Sequence, residues 1–187
     1  MEYKVRVLDL LIDEKAQAAI ITLGDPQRNI LLPMYIGIAE ASSIAIILEK
    51  IAVPRPFTHD LIKNIFDITQ IKVIRILIDD FQNNTFFAKI SLGKGNDIFQ
   101  IDCRPSDAIA IAVRTQKEIY ISEQVLEKIE SAKNEPINKE LNKHLIQNEH
   151  TEENAPKLLN SSSDIDSKQW KDLLESLSEE DFGKYKM

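Results

Sequence analysis

The stretch "IAEASSIAIILEKI" at 38–51 constrains the fold more than any other. It lacks strand alternation and is apolar almost all round, which predicts a helix buried on several sides. "PRPFTH" at 54–59 ends it, because two prolines flanking Arg55 cannot continue a helix. Thr58 then reads as the N-cap of a second helix carrying Leu61, Ile62, Ile65 and Phe66 on one face.

The layers around that buried helix are predicted from alternation. Val5 and Val7 alternate with Lys4 and Arg6, and "AAIITL" and "ILLPMYI" follow across the turn "GDPQRN", as in an antiparallel meander. "KVIRILIDDF" and "TFFAKISL", joined through Asn83 and Asn84, read as a hairpin, and "GKGN" turns the chain into "DIFQID". Pro105 opens a third helix with an apolar stripe of Ala108, Ile109, Ala112 and Val113. A short strand "EIYIS" and a helix "EQVLEKI" follow. The expected fold is α+β: a mostly antiparallel or mixed sheet packed with three to four helices, as one domain over 1–130. Hydrophobic residues at 43% suffice for a core, and the wealth of isoleucine makes it branched and aliphatic.

Beyond residue 130 the composition turns to Asn, Glu, Lys and Ser, predicting a polar linker over 131–165. Residues 166–187 read as a short amphipathic docking helix with Trp170, Leu173, Leu174 and Leu177 on one face. "MEYKVRVLDL" is charged and alternating, unlike a signal peptide, and no stretch has the length of a membrane span. The single cysteine, Cys103, excludes an internal disulfide framework and a cysteine-rich zinc site. A cytoplasmic protein with no membrane partner is expected. Phosphate-loop, dinucleotide, HExxH and nucleophile-elbow motifs are absent. The net charge of −7 argues against a surface that blankets nucleic-acid phosphates, so any phosphate contact must be local.

The polar residues that carry chemistry cluster at helix starts. In "RPSD" at 104–107, Asp107 falls at the third helical position, where a carboxylate meets unpaired N–H groups, and Ser106 is an alternative cap. "RPFTHD" repeats the pattern with His59 and Asp60. Glu40 lies near the start of the apolar helix beside Ala39, Ala41 and Ser42. Each has an ordinary reading as a capping or solvent-facing residue. If the helix starts converge, Glu40 and Asp107 can hold a divalent cation such as Mg, Arg55 and Arg104 can clamp a phosphodiester, and His59 can move a proton. Cys103, with no paired base, reads as a small buried apolar residue.

The blocks "LPMYIGIAEASSIAIILEKI", "PRPFTHDLI" and "IDCRPSDAIAIAVRTQKEIYIS", in this order over about residues 3–130, resemble the bifunctional nuclease domain, and the ending "DFGKYKM" is similar to tails of bacterial members. The resemblance implies a compact, commonly self-associating α+β domain, with nuclease activity on DNA and RNA attributed to plant members. Carried over residue by residue, its motif positions are Glu40, Arg55, Pro56, His59, Asp60, Arg104, Pro105, Ser106, Asp107 and Arg114. Cys103 is a departure, standing where many members have serine. We assign catalysis to Glu40, His59, Asp60 and Asp107, substrate binding to Arg55, Arg104, Ser106 and Arg114, and a cation to Glu40 and Asp107. The expected activity is hydrolysis of DNA and RNA by a homo-oligomer. The alternative is a non-catalytic module that binds an anionic ligand.

Overall fold

The computed structural model describes residues 1–13 and 16–133. The expected linker over 131–165 lies almost wholly outside the described residues, and the expected C-terminal helix lies entirely outside them. Seven strands and four helices follow in the order β1 (Glu2–Asp13), β2 (Ala18–Asp25), β3 (Ile30–Ile36), α1 (Ile38–Leu48), α2 (Thr58–Ile68), β4 (Lys72–Gln82), β5 (Thr85–Lys94), β6 (Asp97–Cys103), α3 (Pro105–Thr115), β7 (Ile119–Ser122) and α4 (Glu123–Lys133). A single 3-10 turn, Pro26–Arg28, bridges β2 and β3. The fold is α+β.

One sheet runs β3-β2-β1-β7-β4-β5-β6. All neighbours are antiparallel except β4 and β7, which run parallel. Asn83 and Asn84 both adopt positive φ, 49° and 58°, as a two-residue turn between β4 and β5 requires. The four-residue β7 is the keystone. It pairs Val5 of β1 and Ile76 of β4 with Ile119, and Tyr3 and Ile78 with Ile121, joining the meander to the second hairpin.

Directly paired residues share a sheet face. Leu32 and Met34 (β3), Ile21 and Leu23 (β2), Ile119 and Ile121 (β7), Ile76 and Ile78 (β4), and Ala88 and Ile90 (β5) therefore form one apolar face, and all are buried. Helix α1 packs on β1 and β2, while α3 packs on β4 and β5. These two helices also pack on each other, and α2 lies on α3 and β4. Residues 41–46 of α1 are consecutively buried, which agrees with a helix covered on all sides. Among the described residues no helix is long and apolar enough to cross a membrane.

Ile121→Ala, at the keystone, is expected to cost about 3 kcal/mol, within the range for emptying a buried aliphatic site. Ile68→Ala, at an exposed end of α2, should change stability by less than about 0.5 kcal/mol. Urea unfolding of the two variants measures the contrast.

Candidate active site

At the start of α1 the residue before the helix is Gly37, and Glu40 occupies the first turn. The Glu40 side chain folds back over Gly37: a Cβ there would lie 2.3 Å from Glu40 Oε2. Gly37 has φ −67°, which any residue adopts, so glycine is needed here for space rather than for backbone freedom. The carboxylate thus sits beside the positive end of the helix dipole.

Arg104 caps α3, Pro105 takes the first helical position, and Asp107 lies two residues on. Arg104 Nε and Nη2 donate to Asp107 Oδ2 and Oδ1 at 2.8 and 3.1 Å, a two-point pairing. The third nitrogen, Nη1, lies 2.9 Å from Glu40 Oε1. One guanidinium therefore ties α1 to α3, yet the Arg104 side chain remains 66% exposed. Burial pushes the Asp107 carboxyl up, but hydrogen bonds from Arg104 and His59 outweigh it and hold Asp107 below its usual range. The same pairing with Asp107 raises Arg104 further.

Behind Asp107 stands His59, buried at the second position of α2. Its Nε2 lies 3.1 Å from Asp107 Oδ1, and its Nδ1 lies 2.9 Å from Ser43 Oγ. Because Asp107 is held ionised, Nε2 carries the proton and donates to it. Nδ1 then accepts from the Ser43 hydroxyl. Serine, histidine and carboxylate stand in a row, but Ser43 is buried inside α1, so it orients the imidazole and is not a nucleophile.

A second ion pair lies deeper. Arg114 Nε donates to Asp60 Oδ1 at 2.7 Å, and its Nη1 reaches the carbonyls of Ser43 (3.0 Å) and Ala110 (3.1 Å). Asp60 Oδ2 accepts from the Phe57 N–H at 2.9 Å, which starts α2. Phe57 therefore takes the N-cap position expected of Thr58, which is the first helical residue instead. Burial raises the Asp60 carboxyl, but Arg114 and the Phe57 N–H outweigh it and leave the value lowered. The Arg114 side chain is only 1% exposed, and its Nη2 is buried without a hydrogen-bond partner among the described residues. Arg114 and the buried Ser106 are thus turned inward, not offered to a substrate as the sequence reading expected.

Glu40, His59, Arg104 and Asp107 come together in one connected chain, and Asp60 with Arg114 braces it from within. Arg55 does not join them. It is exposed beside Pro56 at a depression of about 260 Å³ lined by Ile47, Val53, Asp60 and Asn64. Arg55 and Arg104 therefore have different surroundings, Arg55 at that depression and Arg104 on Glu40 and Asp107. Glu40 and Asp107 do not face each other across an open gap, because Arg104 stands between them. No group of three or more His, Cys, Asp or Glu is arranged to hold a metal ion among the described residues. As arranged, these donors do not fit a resident divalent ion. Cys103 Sγ lies 3.6 Å from the Ala88 carbonyl, and burial with nearby Asp107 pushes its thiol up to about 11, so it stays protonated. Sequence reading missed Gly37 and Ser43. The clue to Ser43 was a hydroxyl inside an otherwise apolar helix, and the clue to Gly37 was a glycine three residues before an acid.

Asp60→Asn should cost about 3 kcal/mol, because it leaves the Arg114 charge buried and unpaired. Since the folded-state value of Asp60 lies below its ordinary 3.8, its stabilisation is complete above about pH 4 and is lost as pH falls through the lowered value. Urea unfolding between pH 2 and 7 should show the wild type losing part of its advantage over Asp60→Asn at the acid end.

A family model described as the bifunctional nuclease domain matches residues 21–134. An uncharacterised protein of Mycobacterium tuberculosis is 32% identical over 123 residues, covering 66% of this chain and 73% of that protein. Bifunctional nuclease 1 of Oryza sativa subsp. japonica is 25% identical over 125 residues, covering 64% of this chain and 37% of the rice protein. The family match spans well over half of the chain and contains the starts of α1, α2 and α3 together with every residue of the polar network. The chain belongs to the bifunctional nuclease domain family.

Proposed function

We propose that this protein hydrolyses phosphodiester bonds of DNA and RNA at the cluster formed by Glu40, Arg104, Asp107 and His59. The observation that carries the reading is the continuous connection from Glu40 through Arg104 and Asp107 to His59, with only the guanidinium well exposed. A phosphate approaching from solvent meets Arg104 first. It competes with the two carboxylates for the same N–H groups, and a carboxylate that loses its partner becomes a stronger base. In the proposed step Asp107 or Glu40 takes a proton from water as the water oxygen attacks phosphorus. The bond to the leaving sugar oxygen breaks, and that oxygen is protonated from the His59–Asp107 pair or from solvent. Asp60 and Arg114 position α2 against α1 without touching substrate, and Arg55 meets a neighbouring phosphate of the same strand. A divalent ion between Glu40 and Asp107 would have to displace Arg104, so the guanidinium is proposed to supply the positive charge. The active form is proposed to be a homo-oligomer.

A second reading, a module that binds an anionic ligand without turnover, is favoured by one fact. Both nitrogens of His59 are already engaged within the protein. Turnover separates the two.

Purified protein should cleave single-stranded DNA and RNA, with Arg104→Ala and Asp107→Ala each lowering turnover about 10²-fold while circular dichroism is unchanged. Cleavage equal to wild type in both variants would assign the activity to another site or a contaminant. Ligand stabilisation in thermal unfolding with no cleavage would establish the binding-only reading. Chelator should leave the rate within about twofold, whereas loss of activity restored by Mg would show that a cation does displace Arg104.

Gly37→Ala isolates the placement of Glu40. The new methyl group pushes the Glu40 carboxylate off its seat, while the backbone is unstrained. Turnover should fall about tenfold or more, with melting within about 2 °C of wild type.

A further inference from the structure

Helix α2 is apolar on two sides but packed on only one. Ile62 and Phe66 pack against the core. Leu61, Ile65 and Ile68, at the i, i+4, i+7 spacing of one helical stripe, stay 56%, 47% and 82% exposed, and nothing among the described residues covers them. Leu61 and Ile65 form the centre of the stripe, and Ile68, at the helix end, its rim. Contiguous exposed apolar surface of this kind marks a place where another surface docks.

Charge separates this stripe from other exposed apolar residues. On β6, Ile98, Phe99 and Ile101 stand between Asp97 and Asp102, and on β1 Leu11 stands between Asp9 and Asp13. Around α2 the balance is reversed. Residues 50–72 carry Lys50, Arg55, Lys63 and Lys72 against Asp60 and Asp67, and Asp60 is committed to Arg114. A segment that fits α2 therefore needs an apolar helical stripe of similar length with an acidic surround.

The chain carries such a segment, outside the described residues. In its sequence Trp170, Leu173, Leu174 and Leu177 follow the i, i+3, i+4, i+7 spacing, and Asp172, Glu175, Glu179, Glu180 and Asp181 lie among and after them. We propose that residues 166–187 dock as an amphipathic helix along Leu61 and Ile65 of α2 in the same chain. Seven residues of α-helix rise about 10 Å, so the two stripes match in length. Residues 134–165, at about 3.3 Å each, can extend to roughly 100 Å. The tether therefore does not limit which face is reached, and the choice falls to the apolar and charge match. The proposal is independent of the nuclease reading, although docking places the segment on the helix that carries His59 and Asp60.

The test uses the full chain. Trp170 is its only tryptophan, so fluorescence reports this segment alone. Wild-type emission should lie to the blue of the same chain unfolded in urea. Leu61→Lys and Ile65→Lys, at exposed positions that leave circular dichroism unchanged, should each shift it to the unfolded wavelength. Phe99→Lys, at a comparably exposed residue of β6, should not. In a Cys103→Ser background, Ile65→Cys with Leu174→Cys should close a disulfide within one chain under mild oxidation, and Phe99→Cys with Leu174→Cys should not. A wild-type Trp170 already at the unfolded wavelength overturns the proposal. So does a shielded Trp170 that neither α2 lysine moves, because the segment then lies elsewhere. A disulfide that links two chains instead of one assigns the docking to a second copy and overturns it equally.

Discussion

The polar architecture hangs on one buried turn of α1, around Ser43. That turn is buried, so its polar groups look to the protein for partners. The Ser43 hydroxyl answers His59 of α2, and its carbonyl answers Arg114 of α3. Three helices are thereby indexed to one residue, and the index is steric as well as polar because the residues on either side, Ser42 and Ile44, are buried too. The helix starts can move apart only by leaving a buried donor or acceptor unpaired, at about 1–3 kcal/mol for each.

This explains why a cluster with so much exposed charge can hold a fixed shape. Surface ion pairs are weak and easily screened, and Arg104 alone would be one of them. Its partner Asp107, however, is anchored from behind by His59, and His59 by Ser43. Glu40 is seated in turn against Gly37, where only a hydrogen leaves it room. The outer guanidinium is then the one well-exposed member, held between two carboxylates that are seated from behind.

The sheet, its hairpins and the buried helix were legible because each rests on local signals: alternation, paired asparagines at a turn, and apolar residues around a whole helix. The position of β7 was not, since four residues carry no address. What seats "IYIS" between β1 and β4 is the match of Ile119 and Ile121 to Val5, Tyr3, Ile76 and Ile78, all far off in the chain. The site was half legible. Carboxylates at helix starts marked Glu40, Asp60 and Asp107, but the same rule predicts a cap wherever it predicts a site. Arg114 entered as a substrate ligand only through the family resemblance, with no local signal of its own. Only the packing of α2 and α1 against it shows that its charge is spent inward, on Asp60 and a carbonyl.

The two ion-pair systems differ in a way that bears on chemistry. Arg114 is buried and Asp60 only partly exposed, so their charges cancel one another largely inside the fold. Glu40, Asp107 and Arg104 together leave one negative charge in excess, with the positive member outermost. In the proposed reading, an anion reaches Arg104 first and exchanges one carboxylate partner for itself. That exchange disfavours casual binding of small anions, in keeping with the acidic balance of the chain. It also means that the group displaced is a carboxylate already beside the bound phosphate. In the proposed reading, binding and the creation of a base are then the same event.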